Sequence, residues 1–195
     1  MYTVIGNTRT RTLRVLWLLE EIGQPYTHHS APPRSKDVTT HYPAGKIPVL
    51  LVDDTPLTDS VAIMTYLSDK QGEFTFPAGS LDRARQDGHT QFVLDEMDAI
   101  LWTAARHSFI LPEEHRVPAV KDSLKWEYQR SLERLEHRLG DGPYLMGETM
   151  TVPDMLAAHC SRWAANASFP DPSARLAAYF ERLLNREAFQ RAADL

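Results

Sequence analysis

The chain has 195 residues, 43% of them apolar and 24% charged, a composition that suits one large or two small globular domains and sets disorder aside. Its formal net charge of −5 leaves no basic surplus, which argues against nucleic acid or an acidic membrane surface as partner. A single cysteine, Cys160, excludes an internal disulfide and any paired-cysteine redox or zinc motif. With no secretory signal at MYTVIGN and no apolar run near the ~18 residues of a membrane span, the expectation is a soluble protein of the cytoplasm, with no membrane partner.

Tyr2–Ile5 alternates weakly and predicts a short strand, ended by the turn pair Gly6–Asn7. "LRVLWLLEEI", Leu13–Ile22, is apolar on most sides, the mark of a helix covered on more than one face, and Gly23 with Pro25 stops it. A second strand is expected at Tyr26–His29. The polar connection "APPRSKDVTTHYPAG" that follows holds only weak helix. Val49–Val52 reads as a buried strand, Asp53–Asp54 as a hairpin turn, and Pro56–Thr58 as a return strand whose proline suggests a sheet edge. Ser60–Lys70 has helical spacing in Ile63, Tyr66 and Leu67.

The composition then changes. "QGEFTFPAGS", residues 71–80, reads as a linker, and no convincing strand follows it. Asp82–Leu111 predicts one long helix ended by Pro112, Pro118–Leu139 another closed by Gly140 and Gly142, and shorter helices fall at Val152–Asn166, Ser173–Leu184 and Glu187–Ala193. The expected organisation is an α/β domain over residues 1–75, the linker at 71–80, and an all-α domain over 81–195.

Two stretches carry chemistry. In "GKIPVL", a cis peptide before Pro48 would start the strand abruptly and leave the Ile47 N–H and C=O to pair with an extended ligand; the plainer reading is an edge-strand proline. In "TDSVAI", a helix start with the Ser60 hydroxyl suits a carboxylate, and Asp59 beside it suits an ammonium; the plainer reading is a helix cap. His28, His29 and His159 lack the spaced partners of a zinc site, so no metal is expected. Cys160 reads as a core side chain, and Thr151-x-x-Asp154 as a short capping box that serves folding.

"HYPAGKIPVL" resembles the Gly–Lys–(Val/Ile)–Pro–x–Leu segment of the glutathione transferase superfamily, and "LTDSVAI" its Leu–x–(Glu/Gln)–Ser–x–Ala–Ile. "LRVLWLLEEIG" is similar to the first helix of many bacterial members, and "TVPDMLAAHC" to the N-capping box and helix at the centre of their helical domain. The resemblance implies a thioredoxin-like N-terminal domain and an all-helical C-terminal domain, usually as a homodimer, with glutathione bound beside a cis proline. Carried over position by position, it assigns the cysteinyl unit to the backbone of Ile47, the γ-glutamyl end to Asp59 and Ser60, and a glutathione carboxylate to Lys46. Arg34 and Lys36 lie in the loop where other members contact the glycine carboxylate.

A free thiol of pKa ~8.5 is mostly protonated at neutral pH, so the site must favour the thiolate. Thr10 is the best match to the family's Ser or Cys ahead of the first helix, with Asn7 and Thr8 as substitutes and Arg11 adding positive potential. Threonine there departs from the family pattern, as does Asp59 where Glu or Gln is usual. The plain alternative is that Thr8, Thr10 and Thr12 only turn and cap. Without a cysteine in this stretch, a mixed disulfide with glutathione cannot form there. The second substrate implied by the resemblance is a small hydrophobic electrophile, with Trp102, Arg106, His107, Phe109 and Trp163 as candidates to meet it. Two rival readings stand beside conjugation: a non-catalytic ligand-binding member, and glutathione-dependent peroxide reduction, isomerisation or dehalogenation.

Overall fold

A computed structural model of the protein describes residues 1–195. Two compact units form, one from Met1–Thr75 with Leu184–Leu195, the other from Phe76–Leu183.

In the first unit, β1 (Tyr2–Ile5), β2 (Tyr26–His29), β3 (Val49–Val52) and β4 (Thr55–Thr58) make one sheet in the order β2-β1-β3-β4. β1 and β2 run parallel and the other pairs antiparallel. β4 is an edge strand, which accommodates Pro56 with no N–H to give to a ladder. Strand alternation divides the apolar residues between two faces. Val4 and Leu50, paired across β1 and β3, are fully buried on one side, where α1 (Thr12–Glu21) and α3 (Ser60–Gln71) lie. Ile5 and Val49 pack with Ala31 and Val38 on the other, beneath the single-turn α2 (Lys36–Thr39), and Ile47 adds to that cluster.

α1 is buried from Thr12 to Leu19 because a third element also covers it. That element is α9 (Glu187–Ala193), whose Phe189 ring meets the Trp17 indole edge-on at 5.0 Å. Arg186, just before α9, makes a two-bonded ion pair with Glu21 at 2.5 and 2.7 Å, and the Trp17 indole N–H donates to the same carboxylate at 2.8 Å. The Glu21 side chain is 5% exposed and Arg186 35%. Removing the guanidinium strands a buried carboxylate, at a cost of about 2 kcal/mol once its partial exposure is allowed for. Arg186→Ala is therefore expected to lower the urea midpoint, and adding Glu21→Gln to recover part of the loss. Nearby, Glu20 accepts from Arg191 and from the Tyr26 hydroxyl, each at 2.7 Å. Burial, reinforced by that bond, pushes the Tyr26 phenol well above its usual range. Burial alone would raise the Glu20 carboxyl, but the two donors outweigh it and hold the pKa low.

Residues 184–195, which the sequence expectation groups with the helices of 81–195, pack within the first unit. An amphipathic helix shows in sequence which face is apolar and not which surface covers it.

The second unit contains α4 (Leu81–Val93), α5 (Ala99–Ala105), α6 (Val120–Leu139), α7 (Val152–Asn166) and most of α8 (Ala174–Leu184). The single long helix expected at Asp82–Leu111 is instead interrupted by two π-type segments, Leu94–Asp98 and Arg106–Ile110, and Leu111 is extended before Pro112. A π-turn inserts one residue without breaking the apolar run, so periodicity passes over it. α7 is buried from Val152 to Cys160. Its Asp154, fully buried, accepts from the Leu145 N–H (2.8 Å), the Thr151 N–H (2.8 Å), the Thr151 hydroxyl (3.1 Å) and the Tyr179 hydroxyl (2.8 Å). Cys160 is buried on the same helix. No helix is long and apolar enough to cross a membrane.

Candidate functional site

The sheet register assembles the candidates of the first unit. Ile5 pairs with His29 and Val49, and Val49 with Thr58. β1 and β4 leave the sheet at the same end at which β3 enters it. Hence Gly6–Asn7, Ile47–Pro48 and Asp59–Ser60 issue side by side from three neighbouring strands. At about 4.8 Å per strand, β1 to β4 spans roughly 10 Å, a width that suits a small peptide.

The Ile47–Pro48 peptide is cis, and the paired register of β3 begins at Val49, so both residues lie outside the ladders. Asp59 has φ +70° and caps α3, its Oδ1 accepting from the Val61 and Ala62 N–H groups at 2.9 and 3.1 Å. Its second oxygen stays available, and Ser60 begins the helix at 2% exposure. Lys46 is exposed. Gly45, its neighbour, accepts the Arg34 N–H at 2.8 Å, which brings the backbone of Arg34 beside Lys46, while Lys36 stands on α2.

Ahead of α1 the chain makes a tight turn. Thr10 donates its hydroxyl to the Asn7 carbonyl at 2.8 Å and lies 3.0 Å from the Thr12 hydroxyl, which can donate to it in turn. The Thr12 N–H also points at the Thr10 oxygen (3.3 Å), and the Arg9 N–H at Asn7 Oδ1 (3.2 Å). The Thr10 proton is thus committed within the turn. Thr8, half-buried, and the Asn7 side-chain NH2 keep their donors. Arg11 stands at the N-cap of α1, where the helix dipole is positive.

Gly6 and Thr12 belong with this group, although the sequence shows Gly6 only as a turn residue and Thr12 only as a turn or cap. Gly6 has φ +140°, and a Cβ there would sit 2.2 Å from Thr12 Oγ1 and 3.0 Å from Ile47 Cβ. The start of α1 and the corner at Ile47 therefore close around a position that only glycine can fill.

In the second unit, Trp102 is half-buried on α5 and Trp163 half-buried on α7. Arg106 donates to the Thr103 hydroxyl at 2.9 Å. His107 Nδ1 accepts the Val117 N–H at 3.1 Å, which ties this half-buried imidazole to the loop ten residues on. Phe109 is 66% exposed, and Ile110 next to it in the chain and Val117 further along are exposed as well. No three His, Cys, Asp or Glu side chains gather in a metal-holding group.

A four-stranded mixed sheet flanked by helices, with three loops converging at one end, followed by a helical unit, defines a thioredoxin-like domain joined to an all-α domain. The family model for the glutathione S-transferase N-terminal domain matches residues 10–70, and that for the glutathione S-transferase C-terminal domain matches residues 97–187. The chain belongs to the glutathione S-transferase superfamily. It is similar to glutathione S-transferase GstA of Escherichia coli O157:H7, 28% identical over 77% of this chain and 73% of that one. It is also similar to probable elongation factor 1-gamma 2 of Arabidopsis thaliana, 31% identical over 58% of this chain and 27% of that protein. Among solved structures, glutathione transferase URE2P6 from Phanerochaete chrysosporium, in complex with oxidized glutathione, superimposes with a TM-score of 0.83 at 22% identity, over 99% of this chain and 94% of that one.

Proposed function

We propose that the protein is a glutathione transferase in which glutathione, bound along the Asn7, Ile47 and Asp59 strand ends, attacks a small hydrophobic electrophile through its thiolate. The observation that carries this reading is the register that sets three ligand-holding loops within two strand spacings of one another. Ile47 offers backbone groups to the cysteinyl unit. The free Asp59 oxygen takes the γ-glutamyl ammonium, the α3 N-terminus with Ser60 takes its carboxylate, and Lys46 with Arg34 faces the glycine carboxylate. In the reaction the thiol proton leaves to solvent, the sulfur lone pair forms the new C–S bond, and the leaving group departs with the electrons of the broken bond. Trp102, Arg106, His107, Phe109 and Trp163 are the groups assigned to the electrophile. The reading carries with it a homodimer in the cytoplasm.

Because the Thr10 proton is held by Asn7, the donors assigned to the thiolate are the Thr8 hydroxyl and the Asn7 amide, supported by Arg11 and the α1 dipole; Thr10 holds the turn. The test follows the ultraviolet absorbance of bound glutathione thiolate through a pH titration. Thr8→Val is expected to raise the bound thiol pKa toward its value in water and lower kcat/KM about a hundredfold, with Thr10→Val weaker. A thiol that titrates as in free solution in the unaltered protein would refute conjugation here. It would favour the second reading, a binding member without turnover, which the commitment of the Thr10 hydroxyl and the likeness to a probable elongation factor 1-gamma support.

A further inference from the structure

The loop ahead of α1 is anchored from an unexpected side. Gly6 gives its N–H to the His29 carbonyl at 3.0 Å, and its C=O receives His28 Nε2 at 2.7 Å. A carbonyl only accepts, so the proton sits on Nε2 of this imidazole. Both backbone groups of Gly6 are thereby tied to β2, the edge strand next to β1. The Gly6–Asn7 peptide is trans and planar, so fixing its C=O fixes the Asn7 N–H in the opposite direction, away from β2. That N–H has no partner within the chain. Gly6 is also the position against which Thr12 and Ile47 close. The His28 ring itself lines an open groove with Tyr26, Leu19 and Arg191, so it is reachable from solvent.

The geometry points to His28 as a positioning residue. It orients the Gly6–Asn7 peptide so that the Asn7 N–H becomes a fixed donor to the substrate's sulfur anion, a role that rests on the function proposed above. His28 touches neither substrate nor sulfur, and acts only through Gly6.

The test compares His28→Ala and His28→Gln with the unaltered protein. In ligand-free protein, the alanine variant is expected to shift the Asn7 amide resonance and speed exchange of the Gly6 amide about tenfold, while Gln, which keeps a donor, stays near wild type. With glutathione, His28→Ala is expected to lower kcat about tenfold and raise the bound thiol pKa, leaving KM for glutathione within about twofold. Added imidazole, entering the groove, should restore part of kcat. An Asn7 resonance and Gly6 exchange unchanged by His28→Ala overturn the proposal, as does an equal loss in kcat and in glutathione affinity without imidazole rescue. If the alanine variant fails to fold, His28→Gln decides: wild-type Gly6 exchange and kcat support the role, and rapid exchange overturns it. The ligand-free arm reads the anchor even if the wild type binds no glutathione, so the two proposals fail separately.

Discussion

Replacing Asp154 by alanine is expected to destabilise the helical unit by about 3–5 kcal/mol, a large part of the roughly 5–15 kcal/mol that a domain has. The carboxylate is buried and receives four donors: two backbone N–H groups, at Leu145 and Thr151, and the hydroxyls of Thr151 and Tyr179. Alanine leaves all of these without their acceptor in an apolar interior, where each orphaned group costs about 1–3 kcal/mol before relaxation. The Tyr179 bond joins α7 to α8, so the loss loosens a helix pair as well as a helix start.

Ionisation sharpens the forecast. Burial pushes the Asp154 carboxyl above its usual range, and the four donors only partly offset it. The native pKa thus exceeds the unfolded one, so the native state binds this proton more tightly. The resulting stability is fully present below the ordinary carboxylate pKa and is lost as pH rises through the raised native value. Asparagine, neutral and still an acceptor, avoids burying the charge. Asp154→Asn is therefore expected to cost about 1–2 kcal/mol, less than alanine, with the gap between wild type and Asn narrowing as pH rises. Urea unfolding of the three proteins over a pH series reads both effects; equal losses for Ala and Asn would show that the acceptor does not matter.

The second large effect is expected at Gly6. Gly6→Ala combines a backbone angle of +140° with a Cβ only 2.2 Å from Thr12 Oγ1. The strain of such an angle costs about 1–3 kcal/mol, and relief of the clash must move α1 or the Ile47 corner. About 3 kcal/mol of stability and most of any glutathione-dependent turnover should be lost together. A folded alanine variant of normal activity would mean that this corner can open without consequence. Thr12→Ser/Gly6→Ala offers a control: the clash involves the Thr12 hydroxyl and methyl, and serine removes only the methyl, so little recovery is expected.

The sheet and most helices can be read from the sequence because each rests on local patterning. Val49–Val52 is an apolar run of valine and leucine, Asp53–Asp54 turns it, and Ile63 and Leu67 stand four residues apart on a helix. Ile47, Pro48, Asp59 and Ser60 stand out through the resemblance, and the strand register explains why they are neighbours. What stays hidden is long-range or geometric. Gly6 gains its meaning from Ile47, some forty residues away, and the division of labour between Thr8 and Thr10 follows from which hydroxyl the turn at Asn7 captures. The two π segments leave the apolar run intact, and His28 looks ordinary until β2 is laid beside β1.

The return of α9 to α1 also sets a timetable for biosynthesis. The first 75 residues leave the ribosome early, yet the surface of α1 around Trp17 finds its partner only with Phe189, more than 170 residues later. The thioredoxin-like half is begun first and finished last. Until then the nascent chain carries an uncovered indole, and closure must wait for a contact of very high sequence separation.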